Sequence, residues 1–180
     1  MSKIEITRKM MEAAKDYIPL AIKEAWAADC GAKCFDRLAI TADEEPMPPM
    51  YMVNYGLKSR YLMAVLAGMY FGAEYTPDEK DPALMGVEDY DAWAGSHVLN
   101  QIERWKFDAA LKSKAFDILY DYKDMEKRIS SQISGLLAVQ NDFVIRQSEY
   151  MANQIKQFPQ LLEQMKELQG KGDASGKSNS

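Results

Sequence analysis

Apolar residues recur along most of the chain at the three-and-four spacing of helices, and no stretch shows the strict alternation of a half-buried strand. In the first thirty-odd residues Ile4, Met11, Tyr17, Ile18, Ile22, Ala25 and Trp26 are apolar with lysines between them, and Thr7 suits an N-cap. Pro19 is expected to kink or split this helix. Gly31 offers a stop before a short amphipathic turn, "KCFDRLAI", and Thr41 to Pro49 is a loop by its proline and acidic content. Pro48 and Pro49 stiffen the exit from that loop toward polyproline II.

Met50 to Gly72 reads as a second long helix, rich in methionine, leucine and alanine, with Asn54 and Lys58 on a wet edge. No charge follows Arg60 until Glu74, so its second half should be buried on nearly all sides. Ala64, Gly68 and Gly72 fall four apart, a row that would let another helix approach closely. "TPDE" at Thr76 to Glu79 fits a capping box, but Pro82 interrupts it, leaving an acidic surface loop with a helical turn. A third helix is expected from about Val87 to Trp105, and Asp108 can cap the next.

From Ala109 to about Gln140, Leu111, Ala115, Ile118, Tyr122, Met125 and Ile129 step by four and three, which is a coiled-coil seam; Ile133 and Leu136 continue it after a stutter. Thirty helical residues span roughly 45 Å, so this helix needs a partner. That partner is either a C-terminal helix, about Asp142 to Gln169 with Pro159 inside it, folding back, or a second subunit. The expected fold is all-α: a single-domain helical bundle over residues 1–169, with long helices, one coiled-coil-like, open to dimerisation, and a disordered tail at 170–180.

Composition narrows the class. The chain has 180 residues, 47% hydrophobic and 27% charged, which suits a globular protein with one sizeable core. The N-terminus lacks the apolar run of a signal peptide, and no uncharged stretch exceeds the thirteen residues from Tyr61 to Ala73, too few to span a bilayer. A bacterial cytoplasmic location with no membrane partner is expected. Cys30 and Cys34 are one helical turn apart, a spacing that suits reduced thiols better than a disulfide or a zinc knuckle. The net charge of −5 is concentrated in Asp78 to Asp91, where six carboxylates face one lysine.

Little in the chain points to catalysis. His97 is the sole histidine, which removes nucleophile triads and two-histidine metal motifs. No Glu-x-x-His, phosphate-binding loop or dinucleotide-binding glycine pattern occurs. The expectation is a non-enzyme without cofactor or metal. A metal-dependent enzyme built on His97, Cys30 and Cys34 is the competing reading, though nothing suggests a fourth ligand.

Binding surfaces are better represented. Asp78, Glu79, Asp81, Glu88, Asp89 and Asp91 form either a solubilising loop or a mimic of a nucleic-acid backbone aimed at a basic groove. Tyr51, Tyr55 and Lys58, beside the proline-stiffened loop, are candidate partner contacts. Arg104, Trp105, Lys106, Lys112 and Lys114 interleave cations with aromatics as nucleic-acid binders do, although on one continuous helix the four cations would form no single stripe.

The stretches "MSKIEITRKMMEAAKDYIPLA", "MPPMYMVNYGLKSRYLM" and "DYDAWAGSHVLNQIERWK" resemble the type II-A anti-CRISPR family, eleventh of that series, small proteins carried on mobile elements of gut bacteria. The similarity runs from Met1 to about Gln169. It implies a non-enzymatic inhibitor that binds Cas9 or its guide-RNA complex and that could also touch double-stranded DNA. These stretches identify a family and carry no catalytic residues across. The alternative is a structural or assembly protein of a conjugative element or prophage, acting as a helical homodimer.

Overall fold

A computed structural model describes residues 3–38 and 50–174; the proline-rich loop at 41–49 and the last residues, 175–180, lie outside the described residues. The chain is mostly helical, with one two-stranded sheet. It falls into two units, Met1–Leu136 and Leu137–Ser180.

In the first unit, residues 3–7 are extended rather than helical. Gln101 clamps this segment: its amide oxygen accepts from the Ile6 N–H at 2.7 Å and its amide nitrogen donates to the Ile4 carbonyl at 2.9 Å. Thr7 caps α1 (Arg8–Ala13), its hydroxyl accepting from the Met10 N–H at 3.3 Å. Pro19 splits the N-terminal region as expected, and α2 (Leu20–Lys33) starts directly after it. Gly31 is not a stop but lies inside α2. A Cβ there would come within 2.7 Å of the Gln132 Cβ, so glycine lets α2 approach α6 (Lys112–Ala174) closely.

Two strands replace expected helix and turn. β1 (Phe35–Leu38) pairs antiparallel with β2 (Met50–Val53), Phe35 opposite Val53 and Leu38 opposite Met50. The helix expected from Met50 therefore begins later, as α3 (Tyr55–Ala64), because Asn54 caps it by accepting from the Leu57 N–H at 3.1 Å. A π-helical turn, Val65–Tyr70, continues α3, and Gly72 closes it with a φ of 59°. This region is buried as its lack of charge implied. The row of small residues receives no helix: the space over Gly68 is taken by the Tyr75 ring, and Gly72 lies beyond the helical turns.

The third expected helix is broken in two. α4 (Val87–Gly95) is closed by the His97 N–H on the Ala94 carbonyl at 2.9 Å, and the left-handed backbone of His97 (φ 52°) then turns the chain out of the helix. α5 (Val98–Arg104) then follows, with a 3₁₀ turn at Trp105–Phe107. Asp108 caps the entry to α6 by accepting from the Ala110 and Leu111 N–H groups.

The seam of α6 is buried within the first unit: Leu111, Ala115, Ile118, Met125, Ile129 and Ile133 face its core, while Leu136 is exposed. Its covering comes from the chain's own earlier elements, with Lys23 of α2 paired to Asp121 and Lys58 of α3 to Glu126. The second unit is helical from 137 to Ala174 with Pro159 inside, so the expected separate C-terminal helix is part of α6, and helix enters the segment read as a tail. Among the described residues no helix is long and apolar enough to cross a membrane.

Candidate functional site

The acidic segment is an ordered loop that runs into the start of α4, with Glu88 and Asp89 in the first turn of that helix. Its ends are tied by the Gly86 N–H on the Thr76 carbonyl and the Asp78 N–H on the Leu84 carbonyl, both at 2.8 Å. Arg60 of α3 holds it from beneath, donating to Asp78 at 2.7 Å and to the Met85 carbonyl at 2.6 Å. That hydrogen bond, helped by the Lys80 N–H, keeps the Asp78 carboxyl below its ordinary range. Asp81 accepts from the Tyr61 hydroxyl at 2.5 Å and pairs with Lys33 at 3.1 Å. Burial pushes Asp81 up, but Tyr61, the Ala83 N–H and Lys33 together pull it below the usual carboxylate value. Asp89 accepts from the Thr76 N–H at 2.6 Å. Three of the six carboxylates thus hold the loop together, while Glu79, Glu88 and Asp91 face solvent.

Tyr55 is exposed at the start of α3, and Lys58 is half-buried, 3.7 Å from Glu126. The side chain of Tyr51, in β2, lies outside the described residues.

The five basic and aromatic candidates divide between structure and surface. Trp105 is half-buried and donates its indole N–H to the Ile6 carbonyl at 3.3 Å. Lys114 pairs with Asp16 at 3.2 Å and donates to the Glu12 carbonyl at 2.7 Å, so it fastens the N-terminal segment to α6. Arg104 is exposed and lines an open cleft of about 490 Å³ with Lys3, His97 and Gln101. Lys106 pairs with Glu103 at 2.9 Å and sits 5.0 Å above the Phe116 ring. Lys112 is exposed.

α6 carries a stripe that the window around Trp105 did not show. On α6, Lys112, Phe116, Tyr120, Lys123 and Lys127 follow at steps of four, four, three and four, all exposed and none a carboxylate. They lie on the side away from the buried seam, because the seam occupies Ala115, Ile118, Met125 and Ile129. Lys106 borders the stripe at Phe116, and Glu103 lies close enough to Lys123 for that charge, after Lys106, to help hold its carboxyl low. Tyr120 is 77% exposed, so its ring is open to solvent. The segment that carries the seam contains this spacing too, on the opposite side of the helix.

His97 is exposed at the α4–α5 junction, and Cys30 and Cys34 are buried. Among the described residues no group of three or more His, Cys, Asp or Glu side chains could hold a metal ion. Compared with known proteins, the chain matches no family model, no curated protein and no solved structure.

Proposed function

We propose that this chain is a non-enzymatic binding protein that inhibits guide-loaded Cas9, with the exposed cation-aromatic stripe of α6 lying against nucleic acid of the complex. The observation that carries the reading is the stripe itself: three lysines and two exposed aromatics on one face of α6, with Glu103, paired to Lys106, the carboxylate beside it. Lysines at that spacing suit a phosphate backbone, and Phe116 and Tyr120 offer faces for unpaired bases. Cas9 holds a heteroduplex in a basic channel and a displaced single strand beside it, so Glu79, Glu88 and Asp91 would meet protein while the stripe meets nucleic acid.

Fluorescence anisotropy with labelled duplex, single-stranded DNA and guide RNA tests the stripe over a salt series. Replacing Lys112, Lys123 and Lys127 with glutamine is expected to flatten the salt dependence of binding by roughly two to three charges. Binding that is unchanged in strength and slope would remove the nucleic-acid part of the reading. The alternative, a helical dimer that holds other proteins of a conjugative element or prophage together, is favoured by one feature, the exposed apolar side chains of the second unit.

A further inference from the structure

The second unit carries a heptad row of its own. Val144, Ser148, Met151, Ile155, Phe158, Leu162 and Met165 follow at alternating steps of four and three, the spacing of a coiled-coil seam. The six apolar members are all exposed, from Val144 at 40% to Ile155 at 71%. Ser148 is the polar member, and its hydroxyl donates to the Ile145 carbonyl at 2.7 Å, so it brings no unmet donor into a dry interface. This row differs from the Leu111–Ile133 seam, whose side chains are already buried in the first unit.

Charge selects the occupant. Asp142, Glu149 and Glu163 are matched by Arg146, Lys156 and Lys166, so this face has no basic excess for nucleic acid or an anionic lipid surface. The positions that flank the row and would meet across a helix pair include Ile145, Gln147, Ala152, Gln154 and Pro159, all uncharged, with Lys166 the one charge, at the far end. Two identical helices therefore meet along most of the row without like-charge opposition. If each apolar member loses on the order of 100 Å², two copies bury about 1,200 Å², the lower edge of a stable interface.

We infer that this row pairs with the same row on a second copy, making the protein a homodimer through its second unit. The inference is independent of the stripe on the first unit and stands under either reading of function.

Light scattering coupled to gel filtration of the full chain, at high micromolar concentration, tests it. The wild type is expected at twice its 20.4 kDa and the Ile155→Glu/Leu162→Glu variant at the single-chain mass. All three tryptophans, Trp26, Trp93 and Trp105, lie in the first unit, so unchanged tryptophan emission in the variant shows that this unit is still folded. A monomeric wild type overturns the inference, including one whose row instead takes up lipid vesicles. A variant that stays dimeric overturns it equally.

Discussion

Lys23 of α2 and Asp121 of α6 form an ion pair with both side chains more than nine-tenths buried. Asp121 also accepts from the Tyr70 hydroxyl at 2.5 Å and the Ile18 N–H at 3.2 Å, so one carboxylate satisfies donors from three separate parts of the chain. Lys23 has a second acceptor, Asp124, at 3.5 Å. Removing Asp121 therefore leaves the Tyr70 hydroxyl and the Ile18 N–H without this acceptor and leaves buried Lys23 with only the longer contact to Asp124. Asp121→Ala is expected to destabilise the fold by about 3–5 kcal/mol, read from urea unfolding, whereas Lys23→Met should cost less because Tyr70 and Ile18 still hold the carboxylate. The reverse order would show that the pair is not organised around Asp121.

The acidic loop should register in the acid limb of stability. Asp78 and Asp81 are both held below their ordinary value of 3.8. A depressed folded-state value means that the unfolded chain binds protons first as pH falls, so this stabilisation is fully present above the unfolded value and is lost as pH drops through the folded values. Urea midpoints should be flat from neutral pH to about 5 and fall below about 4. Asp81→Asn should lower the neutral midpoint and flatten that fall; a variant with the wild-type profile would mean that Asp81 adds nothing to the loop.

Burial, opposed only in part by the charge on Lys58, pushes the Cys34 thiol up to about 11, and burial with the nearby Asp29 pushes Cys30 higher still. Both thiols are fully buried in the folded chain. At mildly alkaline pH the native protein should react with a disulfide reagent roughly 100-fold more slowly than the urea-unfolded chain, because the thiolate is the reacting species and access is closed. Equal rates would show that α2 does not stay packed over these residues.

Helices were legible wherever a single packing face ran unbroken. The α6 seam from Leu111 to Ile133 was readable because steps of three and four admit few alternatives, and Thr7 and Pro19 punctuate as their chemistry requires. β1 and β2 were not readable, since "MYMV" carries residues that also favour helix and only pairing with "FDRL" makes it a strand. Asn54 did hold the cue, an N-cap three residues ahead of an N–H it satisfies. Gly31 and Gly68 were misassigned because their role depends on Gln132 and Tyr75, neighbours visible only in three dimensions. At the candidate site, the acidic residues were found but not their division: Arg60 and Tyr61, from α3, decide that Asp78 and Asp81 are structural. The stripe is not legible in the window around Trp105, because that window ends at Lys114 and four of the five members lie beyond it on α6, on the side away from the seam.

The inhibition of guide-loaded Cas9 that we propose for the α6 stripe can be read directly from DNA cleavage by that complex. Wild-type protein in molar excess is expected to suppress cutting, and the Lys112→Gln/Lys123→Gln/Lys127→Gln variant, folded by tryptophan emission, is expected to lose most of that suppression. Cutting that proceeds at the same rate with and without the wild-type protein would mean that this chain does not inhibit Cas9.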